Sequence, residues 1–358
     1  MRVLQVIDSL RIGGAEVLVG DLAPRFLRRG FDCEVLVLSR SASSIELELQ
    51  AAGVKIMDTG NIDVYSPRQI FTLEKRIRGF DLVHVHLFPA QLWTALAALR
   101  SSCRLVTTEH STWNARRYWW FRPVDAFMYS RYAQIACISA ATAEALGGCC
   151  PHVKDRLRVI PNGIVVGRFM DACPADLPPV GEGMVRAVFV GRLDPLKDHR
   201  TLLRALTLAP RISLLLLGDG PLRRRVEDLA HELNVVSRVT FMGFRNDVPQ
   251  ILKACDIYVH SSISEGFGIA ACEAMAAGLP VIATDIPGLA QLVEGVGMLT
   301  PPGDHEGLAR ALNALADSPE MRARMSVEGR RRARGFSIDR TVEGYVKMYE
   351  EVLRNFPT

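Results

Sequence analysis

The run Ser264-Glu265-Gly266-Phe267-Gly268 sets a carboxylate and two glycines directly before a helix-like segment, Ile269–Ala277. Glycines at 266 and 268 let backbone approach a ligand closely. The free N–H groups of a helix start and the positive end of its dipole favour an anion there. Glu265 and Glu273, with seven residues between them, frame this start. A carboxylate accepts two hydrogen bonds from neighbouring hydroxyls, which suits the diols of a sugar or a ribose. A second loop, Gly191-Arg192-Leu193-Asp194-Pro195-Leu196-Lys197-Asp198, adds two cations. Arg192 as a planar fork and Lys197 as a point charge suit phosphate, each charge-assisted bond contributing about 1.5–3 kcal/mol. Taken singly, the first run reads as a capped helix start and the second as solvated surface charge. Together they read as a diphosphate clamp.

Two weaker signals lie nearer the N-terminus. Arg11-Ile12-Gly13-Gly14-Ala15-Glu16 leaves a strand-like run and opens a helix, either as a phosphate loop or as a plain tight turn. It is not G-x-G-x-x-G, and no acidic residue follows where a dinucleotide ribose would need one. His110, in Thr108-Glu109-His110-Ser111, follows another strand-like run, where a ligand-facing histidine is at home. His84 and His86 share one face of their strand and read as packing or as support for that site. No His/Asp/Glu cluster has metal-ligand spacing and there is no D-x-D, so the expected site holds no metal. Cations and helix dipoles then have to stabilise departing phosphates.

Short apolar runs alternate with amphipathic ones to place these loops. Val3–Ile7, Asp32–Leu38, Val54–Met57, Asp81–His86, Leu105–Thr108, Gln134–Ile138 and Leu157–Ile160 read as strands. Helix-like segments between them include Glu16–Arg29, Pro67–Arg78, Pro89–Leu99 and Ala140–Leu146. The pattern breaks over residues 161–183 and restarts with strands Val185–Gly191, Ile212–Leu217, Val239–Phe241, Asp256–His260 and Pro280–Ala283. Their helices are Arg200–Leu208, Leu222–Leu233, Val248–Ala254 and Ile269–Ala277. The fold class is therefore α/β, with two Rossmann-like, doubly wound parallel sheets and ligands expected in a cleft between the domains. A length of 358 residues fits, because single cores stop growing at roughly 250–300 residues.

Composition narrows the class further. A net charge of +4 is too mild to point to nucleic acid. The eight cysteines form no C-x-x-C pair and mostly sit in apolar runs, which suits free thiols in a reducing compartment. No signal-peptide pattern opens the chain, and no apolar stretch reaches the ~18 residues of a membrane span. A cytoplasmic protein is expected.

In this order and at these spacings the motifs resemble those of the retaining glycosyltransferases of family 4, which adopt the two-domain GT-B fold. The resemblance covers nearly the whole chain. It rests on Gly13-Gly14-x-Glu16, Pro161-Asn162-Gly163, Gly191-Arg192-Leu193 with Lys197, Gly218-Asp219-Gly220-Pro221 and Phe241-x-Gly243-Phe244. It continues through Glu265-Gly266-Phe267-Gly268 with Glu273-Ala274-Met275, and Gly278-Leu279-Pro280-Val281-Ile282. Val165 departs from it, since many relatives carry Asp there.

The resemblance implies an N-terminal acceptor-side domain over residues 1–165, completed by a C-terminal helix within 338–358, and a donor-binding domain over 166–337. It implies that Arg192 and Lys197 bind the donor diphosphate, and that Glu265 with the amides of Phe267 and Gly268, at the start of the helix that opens at Ile269, holds the transferred sugar. Glu273 would bind the ribose hydroxyls, Gly243, Phe244 and Arg245 would lie by the base, and Gly13 and Gly14 would approach the phosphates. His110 would sit beside the sugar. The nucleotide-diphosphate sugar is then a substrate, with no cofactor, and the acceptor a saccharide or a lipid-linked saccharide of envelope polysaccharide or glycolipid synthesis. Overall resemblance to envelope-polysaccharide enzymes favours UDP over GDP.

Two clusters fall outside these motifs. Trp113–Arg122 holds three of the four tryptophans and three arginines. It reads equally as a membrane-docking segment on the inner face of the cell membrane and as aromatics packing a loop or lining an acceptor groove. Arg322–Arg334 holds six arginines and reads as a solvated helix face. Among other classes, a glycosidase would need paired carboxylates but no cation clamp. A dehydrogenase lacks its fingerprint. A sugar-nucleotide epimerase of the same fold and a non-catalytic nucleotide-sugar binding protein remain as alternatives.

Overall fold

The structure, a computed structural model, describes residues 1–11, 13–112 and 119–355. The chain divides into two compact units, Met1–Gly163 with Ile338–Thr358, and Ile164–Ser337. In the first unit the strands are β1 (Arg2–Ile7), β2 (Asp32–Val37), β3 (Lys55–Asp58), β4 (Leu82–His86), β5 (Arg104–Glu109), β6 (Gln134–Cys137) and β7 (Leu157–Val159). They form one seven-stranded sheet in the order β3-β2-β1-β4-β5-β6-β7. The second unit has β8 (Val185–Val190), β9 (Ile212–Leu217), β10 (Val239–Gly243), β11 (Ile257–His260), β12 (Val281–Thr284) and β13 (Met298–Thr300). Their order is β10-β9-β8-β11-β12-β13. The ladders between named strands are all parallel. Parallel strands need crossover helices, which cover both faces and demand apolar residues on both, as in Ile-Ser-Leu-Leu-Leu-Leu of β9.

Side-chain caps set where several helices begin. Ser139 accepts from Thr142 N at 3.1 Å, Ser318 from Met321 N at 3.1 Å and Asp198 from Thr201 N at 3.2 Å. Each such cap contributes about 1 kcal/mol. In each sheet the chain reverses its direction of winding at one point, between β1 and β4 and between β8 and β11. The loops leaving these four strands at their carboxyl ends therefore splay apart and leave room for a ligand.

The last helix, Ile338–Arg354, belongs to the first unit. Ile338, Thr341, Val342, Tyr345, Met348, Tyr349 and Val352 are buried, the spacing of one helical face. It lies against the first helix, Gly14–Arg28, with Phe26 and Tyr349 rings 5.4 Å apart and Arg25 Nε 3.4 Å from Asp339 Oδ1. Each fully buried large apolar side chain contributes roughly 1.5–3 kcal/mol, so this stripe anchors the helix firmly.

The structure differs from the sequence reading in several places. The division falls at Gly163/Ile164, so most of 161–183 runs with the second unit, where Ala175 N donates to Gln250 O at 2.9 Å. Helices Ser44–Ala51, Arg122–Ser130, Pro287–Val293 and His305–Asp317, and strand β13, had no expected counterpart. In Ser44–Ala51 the apolar stripe is interrupted by Glu46, buried because it bonds Arg40 at 3.3 Å and Ser41 N at 2.8 Å. Strand β13 has three residues, too few to show a period. Five of the free cysteines are buried (Cys33, Cys137, Cys150, Cys255 and Cys272), while Cys149 and Cys173 are exposed.

Of Trp113–Arg122, residues 113–118 lie outside the described residues; Trp119–Phe121 forms a 3-10 turn and Trp120 is exposed. In the helix Pro319–Arg334, Arg322 donates to the Leu315 and Ala316 carbonyls and Arg332 to those of Gln291 and Glu294. These two arginines close the ends of neighbouring helices, so the run is more than a solvated face. Among the described residues, no helix is long and apolar enough to cross a membrane.

Candidate functional site

In the second unit the two motif loops leave adjacent strands, β8 and β11. After β8, Asp194 Oδ1 accepts from Leu196 N at 2.9 Å and starts the 3-10 turn Pro195–Lys197. Asp198, in the left-handed region at φ 44°, ends that turn and caps the next helix. The loop after β11 is bonded to this turn, through Ile263 N to Leu196 O and Ser261 Oγ to Lys197 O, both 2.8 Å. The turn thereby brings Lys197 Nζ to 2.5 Å from Glu265 Oε2.

Behind the pair stands His260, the last residue of β11. Its Nε2 lies 3.3 Å from the same Glu265 oxygen and its Nδ1 2.8 Å from Tyr258 OH. A carboxylate only accepts, so His260 carries its hydrogen on Nε2 and Nδ1 accepts from Tyr258. Burial alone would push the Glu265 carboxyl up, but the His260 hydrogen bond and the Lys197 charge outweigh it and hold it down to about 2. Glu265 is therefore a carboxylate at any physiological pH. Burial lowers the His260 pKa against the pull of Glu265, leaving a neutral ring. His199 is buried beneath, 4.8 Å from the Phe189 ring, with neither ring nitrogen hydrogen-bonded; burial, then Lys197 and His260, push it down to about 4.

The helix Ile269–Ala277 starts at Gly268 with no side-chain cap, the kind of helix start that suits an anion. Gly268 adopts φ +86°, and a Cβ there would fall 2.4 Å from Leu289 Cδ2, so two constraints require glycine. Gly288 holds the other side of the loop: a Cβ on it would fall 2.0 Å from the Glu265 carbonyl oxygen. Phe267 is buried, its ring 5.2 Å from that of Phe336, and Glu273 is half-buried one turn beyond Ile269.

The other expected residues of this unit are not all drawn together. The Arg192 side chain is 67% exposed, with Nε 3.9 Å from Asp194 Oδ2, so it lies on the Lys197 loop but faces solvent. The loop after β10 is tied to the loop after β9 by Gly218 N to Gly243 O at 2.8 Å. There Phe244 is exposed, and Arg245 forms a fork with Asp247 at 2.8 and 2.6 Å.

In the first unit Gly13 precedes the helix Gly14–Arg28 with no side-chain cap. Burial raises the pKa of Glu16, whose carboxylate folds back against Gly13. His110 follows β5, half-buried, with burial pushing its pKa down to about 3. Its Nε2 is 3.0 Å from His86 Nδ1, and His86 Nε2 is 2.9 Å from Gln5 Oε1. Strands β1, β4 and β5 are neighbours, so one face of the sheet carries Gln5, His86 and the approach to His110. Among the described residues, no group of three or more His, Cys, Asp or Glu is placed to hold a metal ion.

Sequence reading missed His260, Tyr258, Gln5 and Gly288. For His260 a signal existed: like His110, it is a polar residue at the carboxyl end of a strand, directly before a glycine-rich loop. For Gln5 and Gly288 there was none, because their partners lie far away in the chain.

Comparison with known proteins is consistent with this geometry. Residues 12–168 match the family described as Glycosyltransferase Family 4, and residues 180–332 match Glycosyl transferases group 1. The D-inositol 3-phosphate glycosyltransferase of Saccharomonospora viridis is 34% identical over 96% of this chain and 90% of its own. The lipopolysaccharide core biosynthesis glycosyltransferase LpsE of Rhizobium meliloti is 32% identical over 54% of this chain and 58% of its own length. Anabaena Alr3699/HepE, whose crystal structure is a complex with UDP and glucose, superposes with a TM-score of 0.86 at 21% identity. That superposition covers 98% of this chain and 100% of HepE, and it shows the fold. With two parallel α/β sheets of the GT-B type, a relative 34% identical over 96% of this chain, and both halves matched in order, the chain belongs to glycosyltransferase family 4, a retaining family.

Proposed function

We propose that this enzyme moves a sugar from a UDP-sugar onto a saccharide or lipid-linked acceptor in polysaccharide or lipopolysaccharide assembly, with the second unit as the donor side. The observation that supports this best is Lys197, held beside Glu265 at the start of an uncapped helix, a cation suited to a diphosphate next to a carboxylate suited to sugar hydroxyls. The preference for UDP and for a saccharide acceptor is drawn from HepE, a complex with UDP and glucose, and from LpsE, named for lipopolysaccharide core biosynthesis.

In this reading the bond between the anomeric carbon and the diphosphate oxygen breaks, and the electron pair leaves with the nucleoside diphosphate. Lys197 and the helix start at Ile269 stabilise that charge, the amides of Phe267 and Gly268 stay with the transferred sugar, and Arg192 swings in from solvent to join Lys197. The acceptor hydroxyl forms the new bond on the same face, and its proton passes to the departing phosphate oxygen. Glu265 holds sugar hydroxyls, Glu273 the ribose diol, the Gly243–Arg245 loop the base, Gly13 and Gly14 the phosphates from the first unit, and His110 a sugar hydroxyl. The exposed Trp120 and the neighbouring 113–122 run serve as a contact to a membrane surface that carries the acceptor.

The test is proton NMR of the product formed from UDP-glucose, UDP-galactose or UDP-N-acetylglucosamine with a pool of lipid-linked and free saccharides. An α-linked product with one UDP released per bond is expected. Donor turnover without acceptor would instead assign a sugar-nucleotide epimerase or hydrolase, and binding without turnover a non-catalytic binding protein.

A further inference from the structure

Behind His110 runs a buried chain of side chains whose hydrogen-bond polarity can be followed atom by atom. His110 Nε2 meets His86 Nδ1 at 3.0 Å, and His86 Nε2 meets Gln5 Oε1 at 2.9 Å. Gln5 Nε2 donates to Tyr349 OH at 3.2 Å, and Tyr349 OH lies 2.6 Å from His84 Nδ1. His84 Nε2 then meets Thr108 Oγ1 at 2.7 Å, which meets Tyr345 OH at 3.0 Å. Gln5, His84, His86, Thr108, Tyr345 and Tyr349 are all 0% exposed. The parallel register sets Gln5 opposite His84 and His86 opposite Thr108, and the C-terminal helix lays Tyr345 and Tyr349, one turn apart, over that face.

With no water at hand, every donor in such a chain must face an acceptor. The histidines and hydroxyls can serve in either direction; the Gln5 amide cannot, because its oxygen only accepts and its nitrogen only donates. Gln5 Oε1 faces His86, so His86 carries its hydrogen on Nε2 and presents a bare Nδ1. That bare nitrogen requires the hydrogen of His110 to be on Nε2. On the other side, Gln5 Nε2 donates to Tyr349, whose own hydrogen goes on to His84 Nδ1, and His84 Nε2–H donates to Thr108. Every link runs the same way. The free nitrogen of His110, Nδ1, takes no hydrogen bond from the described residues.

We infer that this relay fixes His110 as the Nε2–H tautomer, so that its bare Nδ1 accepts a hydrogen bond from a ligand hydroxyl, with Gln5, His86 and Tyr349 as its positioning residues. The ligand half of this statement rests on the proposed sugar site; the tautomer half does not. Burial keeps both His84 and His86 neutral, consistent with a relay free of formal charge. A network that merely specified the fold would cost stability when broken and leave the His110 tautomer unchanged.

The experiment is two-bond nitrogen–proton NMR on the full chain labelled with 15N-histidine, the His110 signals being those absent from His110→Gln. A bare Nδ1 and protonated Nε2 are expected at pH 7. Tyr349→Phe keeps the ring but removes the acceptor of Gln5 Nε2, so the amide can turn over and His110 should become a mixture of tautomers. Gln5→Leu should do the same by a different route, should either variant fold poorly. In Tyr349→Phe, kcat should fall about fivefold, the equivalent of one neutral hydrogen bond, with UDP affinity within about twofold of wild type. An Nδ1–H tautomer, an imidazolium or a mixture in the wild type would overturn the inference, as would an unchanged tautomer in both folded variants. The expected tautomer in a protein that transfers no sugar would sink the functional reading and leave the relay standing.

Discussion

Each unit ends the strand beside its winding reversal on a buried histidine, His86 on β4 and His260 on β11, and then surrounds it in opposite ways. His260 in the second unit hands on to charge, Glu265 and then Lys197. His86 in the first unit joins neutral groups instead, His110 on one side and Gln5 and Tyr349 on the other. The difference fits the roles proposed for the two sides. A departing diphosphate needs charge stabilisation, which ionic groups in a sheltered site supply with little reorganisation. A sugar hydroxyl needs only an oriented partner, and a neutral relay provides orientation without the desolvation cost of a buried charge.

Removing the charge from the charged side should have the largest effect. Lys197→Ala is expected to lower kcat/KM at least about tenfold through loss of one charge-assisted phosphate bond, seen in steady-state kinetics with saturating acceptor. Wild-type kinetics would remove Lys197 from the site. Glu265→Gln sharpens the contrast, because it frees Lys197 from its partner. Transfer should fall about tenfold while UDP alone binds at least as tightly as to wild type, measured by calorimetry. Weaker UDP binding in that variant would mean that the carboxylate organises the phosphate site rather than holding the sugar.

Acid should expose the cost of the neutral side. Burial holds the pKa of His84 and of His86 well below the ordinary value, whereas in the unfolded chain both titrate near ~6.5. The unfolded state therefore binds more protons below that pH. The relay's contribution is fully present above ~6.5 and is lost as pH falls toward the folded values. Between pH 7 and 5.5 the first unit should therefore lose stability progressively, read from the first transition in urea unfolding. His86→Asn should flatten that slope; an unaltered slope would mean that His86 is not the titrating group. The smallest effect belongs to Glu273→Ala, which should raise the donor KM severalfold and leave kcat nearly unchanged. A fall in kcat with constant KM would place Glu273 at the reacting centre instead.

The same contrast explains what the sequence made legible. The charged side is written locally: Gly191 to Lys197 and Ser264 to Glu273 are two short runs, and Lys, Arg, Glu and Gly announce their chemistry by type. The alternating strands were legible too, because strands buried on both faces must be apolar throughout. The neutral relay was not, since it joins Gln5 to Tyr349 across most of the chain through residues that look like ordinary core polar groups. Nor was the need for Gly288, which depends on the Glu265 carbonyl arriving from another loop. Arg192 teaches the converse: its type was read from the sequence, but its solvent-facing pose was not, because a surface side chain follows its ligand rather than its backbone.

The most direct test of the account is thermal stabilisation by UDP, GDP, ADP and their glucose conjugates in EDTA, compared between wild type, Lys197→Ala and His110→Ala. A shift with UDP and UDP-glucose is expected, abolished in Lys197→Ala and retained in His110→Ala. A shift that survives in Lys197→Ala, or that disappears only in His110→Ala, would contradict the division of labour between a charged donor unit and a neutral orienting one.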